Sequence, residues 1–228
     1  MRDEACHLAT EASLLAHPIP HYLVDRFRAW RSARYADSRA WYARLMAEGQ
    51  RPRAMLIACC DSRLDTVAMF GAEPGDLFVV RNVANLIPPY APDGAKHGTS
   101  AAVEYAVGTL KVAHIVVVGH SRCGGVEACH DMCSGRAPAL EEESSFIGRW
   151  MDILRPGFER VKPSGDRVKD LKALEEQAVR VSLENLASFP FVKEAAEKGL
   201  LTLHGAWIDI AEGEIYGLDP ASDAFRKL

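Results

Sequence analysis

Three residues able to bind a soft metal lie in two short segments. Cys59 opens CysCysAspSerArg at 59–63, and His120 and Cys123 belong to HisSerArgCysGlyGly at 120–125. Two thiolates and one imidazole make a zinc-binding set, and a catalytic zinc keeps three protein ligands so that water or substrate can take the fourth position. One turn can present both His120 and Cys123, whereas Cys59 must arrive from another part of the fold. The same residues also admit a structural reading, because a free cysteine packs as a small hydrophobe and a histidine can satisfy a hydrogen bond in the core. Asp61 and Arg63 fit that reading poorly. A carboxylate two residues past a thiolate, with a guanidinium two further on, suits a bidentate pair that keeps the carboxylate ionised beside a metal. His130 and Cys133, with Cys129 adjacent, repeat the HxxC spacing but fall in a predicted helix with no strand-borne partner.

The elements that must position these residues follow from hydrophobic periodicity. Ala54 to Cys59 is a short apolar run after Pro52, which predicts a buried strand ending at the first segment. Leu77–Val80 and His114–Val118 predict two more strands, the latter running into the second segment. The sparsely charged stretch Gly98–Leu110 predicts a buried or interfacial helix. Val168, Leu171, Leu174, Ala178 and Leu186 mark a long amphipathic helix, and Pro190 restarts a shorter one. Leu200–Ile210 and Glu214–Leu218 read as final strands. Alternation of this kind implies an α/β fold: a mostly parallel central sheet of four to five strands flanked by helices, its last strands antiparallel at an edge. In such sheets ligands collect at the carboxyl ends of strands, where both segments fall. Residues 1–50 form an N-terminal helical arm, with Asp37 and Ser38 breaking two helices, and 51–228 form the α/β core, the whole expected as a single domain.

The 228 residues are 48% hydrophobic and 25% charged with 12 prolines, an ordinary globular composition. A net charge of -4 and pI near 6.1 exclude a protein that lives by neutralising phosphates, so no nucleic-acid partner is expected. No stretch approaches membrane-spanning length, and Asp3, Glu4 and Glu11 interrupt any secretory leader, so a cytoplasmic location is the expectation. Six cysteines bunched at 59–60 and 123–133, with Cys6 apart, suit a metal site better than a disulfide framework. No GxGxxG or GxxxxGK(S/T) segment supports nucleotide binding.

The two segments resemble the β-carbonic anhydrases, whose motifs are CxDxR and HxxC followed by glycines. ArgAsnValAlaAsn at 81–85, GlyThrSerAlaAlaValGluTyrAla at 98–106 and HisGly at 204–205 extend the resemblance over roughly residues 40–220. It implies one Zn2+ per chain on Cys59, His120 and Cys123, with reversible CO2 hydration by zinc-bound hydroxide that an Asp61–Arg63 dyad orients. Two thiolate ligands would make that water less acidic than in a three-histidine site, so activity should rise with pH above neutrality. Cys60 stands where the family has a small polar residue.

By the same resemblance Leu56 and Ile208 replace the Trp and Tyr of a bicarbonate-inhibited subgroup, leaving Arg81 alone, so no such inhibition is expected. The sequence is instead similar to the plant-type subgroup. There Gln50 and Tyr105 would complete the substrate pocket, often across a dimer interface, Phe78 and Val83 would line its apolar side, and the Gly124 amide would meet bicarbonate. A homodimer or higher homo-oligomer acting on CO2 and bicarbonate is implied. Two alternatives share the same residues: hydrolysis of a sulfur analogue of CO2, and a non-enzymatic structural zinc protein.

Overall fold

The computed structural model describes residues 17–94 and 96–228; Cys6 lies outside them. The chain divides into two compact units, 1–49 and 50–228. In the first, α1 (His21–Trp30) continues through a wider π-type turn at Arg31–Tyr35, and α2 (Arg39–Glu48) follows a break at Ser38. Trp30, Tyr35 and Tyr42 pack ring against ring there, with centroids 5.2–6.0 Å apart.

The second unit is built on one sheet, β1 (Ala54–Cys59), β2 (Leu77–Asn82), β3 (His114–His120), β4 (Thr202–Asp209), β5 (Glu214–Asp219) and β6 (Ala224–Lys227). The spatial order is β2-β1-β3-β4-β5-β6, with the first four strands parallel and the last two antiparallel at one edge. The sheet has one strand more than the four to five expected. β6 is only four residues long and pairs with β5 after a turn at its Asp219–Ala224 end. Helices cover the sheet: α3 (Thr66–Met69), α4 (Gly98–Glu104) with a π-type continuation at Tyr105–Leu110, α5 (Gly124–Cys133), α6 (Phe146–Met151), α7 (Arg155–Arg160), α8 (Arg167–Ala187) and α9 (Pro190–Glu197).

The central strands are apolar without alternation because both faces are buried. Leu56, Ala58 and Val118 face one layer with Val126 and Cys129 of α5 and Leu174 and Ala178 of α8. Met55, Ile57, Ile115 and Val117 face the other, with Val103, Val112, Leu186 and Val192. Burying side chains of this size stabilises the fold by about 1.5–3 kcal/mol each before entropy is counted. The long helix α8 starts at Asp166, whose carboxylate accepts the Val168 and Lys169 amides, satisfying two otherwise unpaired donors. Its buried positions, including Leu174, Ala178, Val181 and Leu186, recur at helical spacing, and Glu175 lies among them. Among the described residues no helix is long and apolar enough to cross a membrane.

Candidate metal centre

β1 and β3 are neighbours in parallel register, so their carboxyl ends bring Cys59 and His120 side by side. Cys123 follows three residues after His120 at the N-cap of α5, where the helix dipole favours a thiolate. The ligand-capable atoms of Cys59, His120 and Cys123 all lie within 4.8 Å of one another, all three residues are buried, and no other such group of three occurs among the described residues. The two sulfurs are 3.8 Å apart. His120 Nδ1 meets the Ser121 carbonyl at 2.9 Å, so in the neutral ring, the form that binds a metal, that nitrogen carries the proton and Nε2 keeps its lone pair. Nε2 is buried with no hydrogen-bond partner. A buried lone pair left unpartnered between two sulfurs costs stability in a metal-free protein, and a metal ion relieves it. The donor set therefore fits zinc.

The ionisation of the sulfurs agrees with a cation site. Cys59 is drawn down to about 4, first by the Cys123 thiol donating to it, then against burial by His120 and by the Asp61 and Ala84 amides. Cys123 is pushed far up by that same hydrogen bond, then by burial and the Cys59 charge. The pair thus gives up one proton easily and the second only when a positive charge arrives. Burial pulls the His120 imidazole down, but the adjacent Cys59 thiolate outweighs it and the net direction is up.

The turn after β2 supplies another part of the cage. Ala84 has φ 62° and Asn85 φ 50°, a left-handed conformation that is uncommon for residues other than glycine. That turn aims the Ala84 N–H at Cys59 Sγ, 3.4 Å away. Trp150 Nε1–H donates to the Val83 carbonyl and the Ser182 hydroxyl to the Asn85 carbonyl, holding the strained turn from two helices.

Asp61 and Arg63 form the expected pair. Arg63 Nε meets Asp61 Oδ1 at 2.9 Å and an outer guanidinium nitrogen meets Oδ2 at 2.7 Å, while the Arg63 amide also donates to Oδ1. These hydrogen bonds hold the Asp61 carboxyl well below the usual carboxylate range. Oδ2 lies 4.0 Å from His120 Nε2, so a carboxylate oxygen borders the cage. Arg63 also donates to the Arg122 carbonyl at 2.9 Å, tying the two ligand loops together.

The remaining expected pocket residues separate into two groups. Val83 and Gly124 lie at the metal end, Val83 just after β2 and Gly124 as the first residue of α5. Gln50, Phe78 and Tyr105 do not reach this chain's centre. Phe78 is opposite Met55, four residues before Cys59, or about 13 Å of strand. Its ring packs on Tyr105 with centroids 5.9 Å apart. Gln50 precedes β1 altogether and borders a cleft with Arg53, Leu110 and His114. Leu56 and Ile208, expected to replace an inhibitory pocket, are buried in the core. Cys60 is exposed, and its amide donates to the Asn82 carbonyl. In α5, Cys129 and Cys133 have sulfurs 3.9 Å apart, and His130 pairs with Arg136 rather than joining them.

A family model described as carbonic anhydrase matches residues 54–215, a span that includes every residue of this centre. The chain belongs to the β-carbonic anhydrase family. It is 36% identical over 196 residues to beta carbonic anhydrase 5, chloroplastic, of Arabidopsis thaliana, covering 83% of this chain and 62% of that protein. It is 38% identical over 183 residues to beta carbonic anhydrase 3 of the same plant, covering 76% of this chain and 68% of that one. The matched region is thus less than two thirds of the first relative's length. Among solved structures, the β-carbonic anhydrase CcaA superposes with a TM-score of 0.78 at 28% identity, covering 91% of this chain and 98% of that one. One of two β-carbonic anhydrases from Sordaria macrospora, described as tetrameric, gives 0.70 at 30% identity, covering 87% and 95%.

Two residues of this β-carbonic anhydrase centre carry weight that the sequence reading did not assign. Arg81, treated there only as a remnant of an inhibitory pocket, donates to the carbonyls of Cys59, Asp61 and Leu64 at 2.7–2.9 Å and so clamps the first ligand loop. Glu175 of α8 is buried, and its carboxylate accepts the Cys123 amide at 3.2 Å and the Trp207 indole N–H at 3.1 Å. Burial raises the Glu175 carboxyl against those hydrogen bonds. The one sequence signal for Glu175 is a charged residue at a buried helical position, beside Leu174 and Ala178.

Proposed function

We infer that the chain catalyses the reversible hydration of CO2 to bicarbonate and a proton, with one Zn2+ per chain held by Cys59, His120 and Cys123. The observation that carries this reading is His120 Nε2, a buried lone pair with no partner, set among two cysteine sulfurs in a family named for this activity. Zinc in that cage supplies Lewis acidity, which makes water a nucleophile near neutral pH. The chain's own residues do the rest. Asp61 would accept a hydrogen bond from the attacking water at Oδ2, the oxygen nearest the cage, and so orient the water's lone pair towards the carbon. Arg63 occupies the other lone pairs of that carboxylate and keeps it ionised and directed. Val83 would line the apolar side that receives an uncharged substrate, and Gly124, the first residue of the helix after Cys123, would donate its amide to bicarbonate.

The pocket is completed by a second chain, in a homodimer or larger assembly. Gln50, Phe78 and Tyr105 lie towards the amino ends of the strands, away from Cys59, His120 and Cys123, which supports their serving a partner chain's centre instead. Tyr105 is 44% exposed, which leaves its ring available to such a neighbour.

Stopped-flow CO2 hydration on protein of known zinc content tests the reading, with Asp61→Asn beside it. Rapid turnover at one zinc per chain, lost in the variant, supports it. One tightly held zinc with no turnover at pH 7 or 8.5 would replace it with a structural role for the metal.

A further inference from the structure

A second cluster of metal-binding donors lies at the opposite end of the sheet. His114 opens β3 and is paired in register with Thr202, which opens β4; His204, two residues along, points to the same face as Thr202. His114 Nδ1 and His204 Nε2 face each other at 3.3 Å, and the Thr202 hydroxyl lies 2.6 Å from the first and 2.9 Å from the second. The two rings are tilted at 54° with centroids 5.3 Å apart, so they converge on their nitrogens rather than stacking. All three residues are exposed.

We propose that His114 and His204 form a second, surface metal site, which takes a borderline transition-metal ion such as Zn2+ or Cu2+ with Thr202 as an adjustable oxygen. The separation of the nitrogens carries the assignment. Two imidazoles bound to one tetrahedral ion at a Zn–N distance of about 2.0–2.1 Å have nitrogens about 3.3 Å apart. The pair already holds that spacing, fixed by the backbone register of two adjacent strands, so binding requires little rearrangement of the main chain. The Thr202 oxygen is nearer to both nitrogens than a tetrahedral edge allows. In the metal-free protein it bridges the rings by hydrogen bonds, and on binding it rotates about χ1 to ligate or to make way for water. Partial burial, followed by the charge of His114, holds His204 below the ordinary imidazole range, which favours the neutral ring that a metal requires.

Chemistry sets the class of ion. The donors are two imidazoles and a hydroxyl with no carboxylate among them, and the clefts beside His114 are bordered by Arg53. Affinity must therefore come from nitrogen lone pairs rather than from charge. This favours zinc, copper or nickel and disfavours magnesium and calcium, which require oxygen ligands. The site lies on the strands' amino ends and the first centre on their carboxyl ends, so both can be filled at once.

Equilibrium dialysis of the full chain against Zn2+, with metal and protein quantified, counts the ions. We expect one ion more per chain in the wild type than in His114→Gln or His204→Gln, and no additional ion with Mg2+. Copper added to zinc-loaded protein should show electron paramagnetic resonance couplings to two nitrogens, lost in either variant. Because both side chains are exposed, unchanged circular dichroism of the variants would confirm that only ligands were removed. Equal ion counts in wild type and both variants, or copper without nitrogen couplings, would overturn the proposal.

Discussion

The contact between α5 and the strained turn at Ala84 yields a sharp test, because two adjacent glycines differ in the space around them. A Cβ built on Gly125 would lie 2.6 Å from Val83 Cγ1 and 3.0 Å from the Ala84 Cβ, whereas one on Gly124 meets nothing within 4 Å. Carbon atoms pack best at about 3.5–4.0 Å, so Gly125→Ala must push the turn away by about 1 Å. Val83 is β-branched and stiff at χ1, and the Ala84 Cβ moves only with its backbone, so neither neighbour can yield cheaply. Overpacking of this kind costs about 1–3 kcal/mol. The gain from replacing glycine in a helix, at most about 1 kcal/mol, is shared by Gly124→Ala in the same first turn and cancels between the variants. Gly125→Ala should therefore be less stable than Gly124→Ala by about 2 kcal/mol, which for a chain of this size is a gap of about 4–8 °C in melting temperature. The turn also carries the Ala84 N–H that reaches Cys59 Sγ, so Gly125→Ala should lose zinc to a chelator faster. Thermal unfolding of both variants, followed by a chelator-competition assay, measures the two effects. Equal melting temperatures would show that the close approach does not constrain the turn and would refute the reasoning.

Arg81→Ala removes three hydrogen bonds to the first ligand loop and should weaken zinc retention about tenfold or more in chelator competition, with the fold retained by circular dichroism. Glu175→Ala leaves the Cys123 amide and the Trp207 indole N–H without their acceptor in a buried place; urea unfolding should show a loss of about 2 kcal/mol, partly recovered in Glu175→Gln. Arg63 depresses the folded Asp61 carboxyl, so its contribution to stability is present above the unfolded value near pH 4 and is lost as pH falls further. Asp61 thus stays ionised from pH 6 to 9, and hydration activity should rise with pH across that range without an acid limb from this group. A flat pH–rate profile would contradict that expectation.

How much of this was legible beforehand depended on whether a residue's role is local. Cys59, His120 and Cys123 could be read because ligand residue types sit at the ends of apolar runs, and the carboxyl ends of adjacent parallel strands must converge. Asp61 and Arg63 were legible for a similar reason, two residues apart in one loop with complementary charge. Glu175 was not, since a glutamate in an amphipathic helix is ordinary until the fold shows it turned inward towards Cys123. Arg81 was misleading because its partners are backbone carbonyls, which leave no trace in residue types. β6 was too short and too polar, as AlaPheArgLys, to stand out from a loop. Gln50, Phe78 and Tyr105 could be placed in a pocket only by resemblance, and within one chain they lie away from Cys59, His120 and Cys123.

That last arrangement has a genetic consequence. Under the shared pocket proposed above, a chain whose Cys59, His120 and Cys123 and whose Gln50, Phe78 and Tyr105 lie towards opposite ends of its strands would contribute halves to two different centres. In a mixed dimer, one chain bearing Asp61→Asn and the other a defect at Tyr105 would concentrate both injuries in one centre and leave the other intact. Two inactive alleles would then complement each other, recovering activity that neither homodimer possesses.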